Sequence, residues 1–364
     1  MERIVLKEKL EIPKVPETPG DDGNGVNSFI YRGSQLDEIQ EHWGRTGCCV
    51  KVFKNREKFQ DNVQNAWWGP SVPHKGSKLP EATHIQNIFA HHGLAPRVYA
   101  LFILVINGKR HWAQLVEDMG HLVEILDIQP QIIKGPMLEI ANKYGITMFD
   151  DGRDCNVVNG KYVDFQGFHL TEKYKDGLKE RIVGVANVGK WGPWMNYHPI
   201  EELGITGGRN NTLRVSEMHL QRIDFRGKTV LDIGCSEGWF CNYASSRGAK
   251  QVTGVDLPGV VENLWELSSY LGHYNVDYQG HDLKTEAVTT PYDIVFFFSM
   301  CQHIGFPDWI STLTNEVLVF EGNSKGEDAP TIDKIKSKFN YVEKVGSTTD
   351  LFERPVVWAR QLRK

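Results

Sequence analysis

Asp151, Asn156 and Asp164 bracket the dipeptide Asn159-Gly160 in the stretch "FDDGRDCNVVNGKYVDFQGF". Asn-Gly between short apolar runs is a strong hairpin signal, and the hairpin would return Asp164 beside Asn156. Oxygen ligands gathered in this way suit a hard cation, and a hard cation often bridges nucleotide phosphates. A second stretch, "VLDIGCSEGWF", holds a different chemistry. Gly234 and Gly238 stand four apart with Ser236 between them, Asp232 and Glu237 lie in the same loop, and Asp256 follows 22 residues after Gly234. A glycine loop after an apolar strand, with an acid about 20 residues on, is how doubly wound sheets hold an adenosine ribose. The G-x-G-x-x-G spacing that lets backbone N–H groups approach a pyrophosphate is absent. Asp232 and Glu237 would repel a pyrophosphate, yet attract the ammonium and sulfonium of S-adenosylmethionine. The loop is therefore expected to bind S-adenosylmethionine rather than NAD.

Both constellations need elements to carry them. "KTVLDIG" reads as a short buried strand, "GWFCNYASSRG" as the helix after it, and "KQVTGVDL" as the strand ending in Asp256. From Asn211 to the end, helices and strands alternate, which predicts a parallel sheet covered on both faces. Upstream, "CCVKVF", "RVYALFILVI" and "GKRHWAQLVED" are β-like. "LPEATHIQNIFAHHG" has apolar residues at helical spacing and a terminal glycine that can cap it. "GPMLEIANKYG" and "TEKYKDGLKERIVGVANV" read as further helices. Residues 1–27, rich in Pro, Gly and acids, read as an extended arm, and "GKWGPWMNYHPIEELGITGGRN" as a linker.

The C-terminal residues resemble a class I S-adenosylmethionine-dependent methyltransferase. "LDIGCSEG" matches the first motif, "VTGVDLP" the acidic second strand, and "YQGHDL" the third-strand acid. "YDIVFFFSMCQHIG" matches the fourth strand, "NEVLVFEGN" the fifth, and "YVEKV" with "RPVVWARQ" the terminal hairpin. The resemblance implies a seven-stranded Rossmann-like α/β sheet with helices on both faces. It also implies that Asp282 meets the adenine amine, and that His303, where the fourth strand opens toward substrate, is a candidate base for an oxygen nucleophile. "YHPIEELGITGGRNNTLR" resembles the lead-in of methyltransferases related to the wobble-uridine carboxymethyl-transfer enzymes, in which Tyr197, His198 and Arg209 would close over the substrate.

The N-terminal half resembles a reduced kinase-like α+β domain of the aminoglycoside-phosphotransferase and lipopolysaccharide-kinase type. In such enzymes a catalytic Asp precedes a metal-binding Asn by five residues, and a later Asp in D-F-G completes the metal site. Asp151, Asn156 and Asp164 would take those places. Lys51 would meet the phosphates, Glu81 would pair with that lysine, and "AQLVEDMG" would be the adenine-binding hinge. ATP and Mg²⁺ are the implied ligands. Phe149 stands where the family has His, and no G-x-G-x-x-G precedes Lys51 at the usual distance. The expected organisation is an arm over 1–27, a kinase-like domain over 28–188, a linker and substrate-site lead-in over 189–210, and a methyltransferase over 211–364.

Bulk properties limit the partners. A net charge of −5 and a pI near 6.2 give no reason to expect general nucleic-acid binding. The longest apolar run, "DIVFFFSMC", is too short for a membrane span, and the N-terminus lacks a signal peptide's apolar core. Cys48, Cys49, Cys155, Cys235, Cys241 and Cys301 form no C-x-x-C pair, which suits free thiols in the cytoplasm. The two resemblances together are similar to bifunctional kinase-methyltransferases, and imply a methyltransferase acting on a small molecule, sugar or glycolipid headgroup, with phosphotransfer by the first domain as a partner activity. The alternative is a kinase-like module that only binds substrate, an RNA or a protein.

Overall fold

The structure, a computed structural model, describes residues 3–5, 28–31, 39, 43, 45–53, 79–106, 109–119, 131–148, 157–158, 160–163, 165, 168–186, 197–323, 328–350 and 352–361. The chain divides into two compact units, Met1–Gly177 and Leu178–Lys364.

In the first unit a five-stranded sheet is built from β1 (Arg3–Val5), β2 (Ser28–Tyr31), β3 (Cys48–Phe53), β4 (Val98–Ile106) and β5 (Lys109–Glu117). Their order is β1-β4-β5-β3-β2, antiparallel except where β1 lies parallel to β4. The expected N-terminal arm therefore contributes an edge strand, with Arg3 opposite Ile103. Periodic burial of Val50, Val52, Phe102, Leu104, Ala113 and Leu115 gives one face of this sheet its core. Helix α1 (Leu79–His91) starts with Pro80 and Glu81 where unpaired N–H groups favour an acid, and ends before Gly93 in the left-handed region. Asn87 on α1 clamps β4, accepting from Val98 N–H at 2.8 Å and donating to the Val98 carbonyl at 3.1 Å. Helix α2 (Gln131–Tyr144) follows, then β6 (Ile146–Met148), β7 (Val157–Val158), β8 (Lys161–Tyr162) and β9 (Phe168–Leu170). β7 and β8 pair as the hairpin that Asn159-Gly160 predicts, and Gly160 has φ +75°.

Helix α3 (Glu172–Ala186) crosses from the first unit into the second. The second unit continues with helices α4 (Asn211–Glu217), α5 (Trp239–Ser246), α6 (Pro258–Val261), α7 (Leu264–Tyr270), α8 (Cys301–Ile304), α9 (Trp309–Leu313) and α10 (Ala329–Lys338). They surround strands β10 (Thr229–Ile233), β11 (Gln251–Asp256), β12 (Val276–Gly280), β13 (Tyr292–Phe298), β14 (Thr314–Glu321), β15 (Tyr341–Thr348) and β16 (Arg354–Arg360). The sheet order is β12-β11-β10-β13-β14-β16-β15, parallel up to β14, with β16 antiparallel to both β14 and β15. This is the seven-stranded, mostly parallel α/β sheet expected of the C-terminal half. The near-continuous apolar run of β13 is what a strand covered on both faces requires. On one face its Val295 and Phe297 pack with Leu231, Ile233, Leu318, Phe320 and Val357.

The region expected as a linker is built into this unit over its described part. Ile200 and Ile205 bridge each other around a turn of 3₁₀ helix at Glu201–Leu203, and His198 and Arg209 are buried. Cys235, Cys241 and Cys301 are free thiols. Among the described residues no helix is long and apolar enough to cross a membrane.

Candidate active site

The order of the sheet reverses between β10 and β13, and the loop leaving β10 opens at the carboxyl edge, where such sheets bind ligands. Gly234 and Gly238 have φ +77° and +71°, which only glycine adopts without strain. A Cβ on Gly234 would overlap the Met300 side chain, and one on Gly238 would overlap the Tyr278 hydroxyl. Ser236, between them, is left-handed at φ +50° despite carrying a side chain. The loop is held open from below: Gly234 and Cys235 donate their N–H groups to the Val255 carbonyl at 2.8 and 3.2 Å. The Ser236 N–H donates to Asp256 Oδ2 at 2.9 Å, and the Leu257 N–H to Asp256 Oδ1 at 2.8 Å.

Asp256 thus ends β11 with each carboxylate oxygen fixed by one backbone donor. An ionised carboxylate has about four lone-pair sites, so it keeps capacity for the two hydroxyls of a ribose. Burial raises its pKa, against the pull of the Ser236 and Leu257 N–H groups and of His303. That last influence places His303 on α8 within electrostatic reach of Asp256. His303 is exposed, with Nε2 3.1 Å from Gln302 Nε2. The His281 N–H donates to the Asp256 carbonyl at 2.8 Å, tying the loop that holds Asp282 to the same edge. Asp282 is half-buried and caps its own turn through the Lys284 N–H at 3.1 Å.

Two predicted cofactor carboxylates do other work. Glu237 is 4% exposed and accepts from the Tyr197 N–H at 2.7 Å, the His198 N–H at 3.3 Å and Ser236 Oγ at 2.5 Å. It fastens the lead-in segment to the glycine loop. Asp232 is buried behind α5, where Cys241 Sγ lies 3.4 Å from its Oδ2. Burial pushes its pKa up to about 7, so at neutral pH it offers a ligand only part of a charge.

The residues match the profile of a family described as a methyltransferase domain over residues 210–315. The second unit carries a class I S-adenosylmethionine-dependent methyltransferase domain. A ubiquinone biosynthesis O-methyltransferase of Azoarcus sp. (strain BH72) is 30% identical over 120 residues, which are 32% of this chain and 48% of the relative. Its counterpart in Paraburkholderia xenovorans (strain LB400) is 32% identical over 119 residues, 32% and 47% of the two chains. The chain spans about half the length of these curated relatives. Among solved structures, the bifunctional kinase-methyltransferase WbdD overlaps 49% of this chain and 45% of its own, at 16% identity and TM-score 0.36.

The methyltransferase domain has a second polar layer that its motifs do not advertise. Glu321, at the end of β14, is fully buried and accepts from Arg214 Nε and Nη2 at 3.0 and 2.6 Å. It also accepts from Arg209 Nη2 at 3.3 Å, Ser299 Oγ at 2.6 Å and Thr348 Oγ1 at 2.7 Å. Burial raises its pKa, but Arg214 and Arg209 outweigh it and hold the carboxyl at about 2. Arg209 binds Asp350 through Nε at 2.5 Å and Nη2 at 2.9 Å, and reaches the Tyr197 hydroxyl. His198 accordingly lies inside the protein, 2.8 Å from Asn211 Oδ1. Burial, then Arg214 and Arg209, hold its pKa well below the usual range. His198 and Arg209 are thus internal braces rather than a cover over the substrate. The only sequence signal for Glu321 is a lone acid ending an apolar strand, "VLVFEG". Tyr278 and Met300, which shape the cradle, carry none.

A cleft of about 620 Å³ lies along the outer side of α5, lined by Glu237, Trp239, Tyr243, Asn211, Arg209 and His273. It shares Glu237 with the glycine loop, while Gly234, Asp256 and Met300 do not line it.

In the first unit, Asp151, Asn156 and Asp164 lie outside the described residues. Lys51 Nζ donates to the Val163 carbonyl at 3.1 Å. Glu81 does not pair with Lys51. Its Oε1 accepts from the Leu170 N–H at 2.8 Å and lies 4.0 Å from His169 Nδ1, because the start of α1 faces β9. No cluster of three or more His, Cys, Asp or Glu side chains fit for a metal occurs among the described residues.

Proposed function

We propose that this chain transfers a methyl group from S-adenosylmethionine to an oxygen of a small molecule, sugar or glycolipid headgroup. The observation that carries the reading is the cradle itself: two left-handed glycines under Met300 and Tyr278, with the fixed carboxylate of Asp256 one strand away. That arrangement fits the adenosine part of the cofactor, and Gly234, Ser236, Gly238, Asp256 and Asp282 are the residues that would hold it. When bound, S-adenosylmethionine would supply a methyl carbon activated by its sulfonium: an acceptor oxygen forms the new O–C bond in line as the C–S bond breaks, the neutral thioether S-adenosylhomocysteine leaves, and the oxygen's proton passes to a base. The chain's own part is positioning: the strand ends fix the cradle, and α8 presents His303 where an acceptor's proton would be taken. O-methylation is favoured by the relatives named above, which are O-methyltransferases.

Calorimetry with S-adenosylmethionine on the full chain and on Asp256→Asn tests the cofactor site. Radiolabelled methyl transfer to phenolic, sugar and glycolipid acceptors then tests the chemistry. Binding unaffected by Asp256→Asn would remove the cradle as the site.

A second reading concerns the first unit. Lys51 on β3 reaches the carbonyl of Val163, the residue preceding Asp164. This supports a nucleotide site in which Lys51 meets phosphates and Asp151, Asn156 and Asp164 serve Mg²⁺. Titration with ATP, with and without Mg²⁺, against Lys51→Ala and Asp164→Ala decides it. Magnesium-dependent binding lost in both variants supports phosphotransfer. No binding leaves a module that docks substrate.

A further inference from the structure

β16 runs antiparallel to β14, so its first residue, Arg354, returns to the edge at which the parallel strands end. There Arg354 Nη1 donates to Ser299 Oγ at 2.9 Å and to the Tyr197 hydroxyl at 3.5 Å, and Nε donates to the Asn323 carbonyl at 3.1 Å. Its two arginine neighbours are differently placed. Arg214 forms a two-bond pair with Glu321, and Arg209 a two-bond pair with Asp350. Arg354 comes no closer to Glu321 than 3.8 Å, and its hydrogen bonds go to neutral oxygens. Nη2 makes none among the described residues. The side chain is nevertheless only 8% exposed. Arg354 shares Glu321 with Arg214 and Arg209, so three guanidiniums here face two carboxylates, Glu321 and Asp350, and a buried excess of positive charge is costly unless a further anion balances it.

Tyr197 points the same way. Its hydroxyl oxygen accepts from both Arg209 and Arg354, which leaves its own hydrogen to be donated elsewhere. One further donor of this wall, Arg214 Nη1, is buried without a hydrogen-bond partner. The wall also adjoins the cradle. Ser299, left-handed at φ +58°, immediately precedes Met300, which lies against Gly234, and His303 follows within the next turn.

We propose that Arg354 and Tyr197 bind an oxyanion carried by the methyl acceptor, a carboxylate or a phosphate, so that the enzyme selects acidic acceptors. This rests on the methyltransferase reading of the same site. The free Nη2 edge of the guanidinium and the Tyr197 hydroxyl supply charged and neutral donors to one anion. A planar guanidinium is the side chain best matched to either group.

The test uses the full chain saturated with S-adenosylhomocysteine, titrated with benzoate, phenyl phosphate and the neutral isostere benzamide. The expected result is saturable binding of one or both anions, with benzamide weaker by roughly ten-fold or more. Arg354→Gln should weaken the anions about as much, Arg354→Lys should recover part of the loss, and Tyr197→Phe should weaken them by a smaller factor. The preference between benzoate and phenyl phosphate identifies which oxyanion the site takes. Equal binding of benzamide, or anion binding unchanged in folded Arg354→Gln, overturns the inference. Should Arg354→Gln fail to fold, the wild-type preference and Tyr197→Phe decide, and a neutral probe binding as well as the anions refutes it. Failure of S-adenosylhomocysteine to bind the wild type overturns the cofactor reading, and the inference with it. Normal cofactor binding without anion preference overturns the inference alone.

Discussion

Replacing Glu321 by glutamine keeps the shape of the side chain and removes the charge on which Arg214, Arg209, Ser299 and Thr348 converge. Arg214 would keep its burial and lose its ion pair, the situation in which breaking a buried pair costs about 3–5 kcal/mol. The protonation equilibrium of Glu321 gives an independent figure. Its carboxyl is held at about 2 against an ordinary 4.5. A gap of about 2.5 pH units corresponds to ~3.4 kcal/mol of preference for the ionised form. The two routes agree in magnitude. Because the folded pKa is depressed, this stability is present above pH 4.5 and lost as pH falls from there toward 2. In a unit of about 190 residues, such a loss lowers the melting temperature by roughly 10 °C. Scanning calorimetry at neutral pH, repeated down to pH 3, is the assay. Glu321→Gln should melt earlier at pH 7 and show a shallower acid decline than the wild type. A deficit below about 1 kcal/mol, or an unchanged acid decline, would refute the view that Arg214 depends on this carboxylate.

Asp232 should act with the opposite sign. Burial raises its pKa from 3.8 to about 7, so the folded state prefers the protonated form. The stability is complete below pH 3.8 and is lost as pH rises through 7, by an amount near 4 kcal/mol. Chemical unfolding between pH 4 and 8 should show this fall in the wild type and not in Asp232→Asn. Gly234→Ala places a side chain in the left-handed region at a cost of about 1–2 kcal/mol and displaces Met300, so cofactor affinity should drop while the far-UV spectrum stays native. Asp256→Asn should weaken S-adenosylhomocysteine by about ten-fold or more in calorimetry, the effect of losing a hydrogen bond to a charged group. An unchanged dissociation constant would rule out Asp256 as the ribose ligand. His303→Ala should lower kcat for methyl transfer while KM for the cofactor holds.

Local chemistry in the sequence was enough to fix the parallel sheet, the glycine loop and the strand-end acid. Buried parallel strands must be apolar throughout, a left-handed turn must be glycine, and the apolar runs of β10, β11 and β13 leave few alternatives. The same holds for the Asn159-Gly160 hairpin. The roles of the charged residues were not legible, because a carboxylate's partner is set by which strands lie adjacent. Glu237 reads as a residue of the glycine loop, with nothing in the sequence to say that it also fastens Tyr197 and His198. Glu81 reads as a partner of Lys51 and instead caps the Leu170 N–H. Arg354, Glu321, Arg214, Arg209 and Tyr197 stand up to 157 residues apart in the chain. They meet because β16 turns back against β14 and brings its first residue to the edge where the parallel strands end. The sequence by itself determined that a methyltransferase-type sheet forms with a left-handed glycine loop and a strand-end acid at its edge. Only the tertiary structure decided which charges lie near the glycine loop, which brace one another beneath it, and which guanidinium holds its carboxylate only at 3.8 Å, shared with two others.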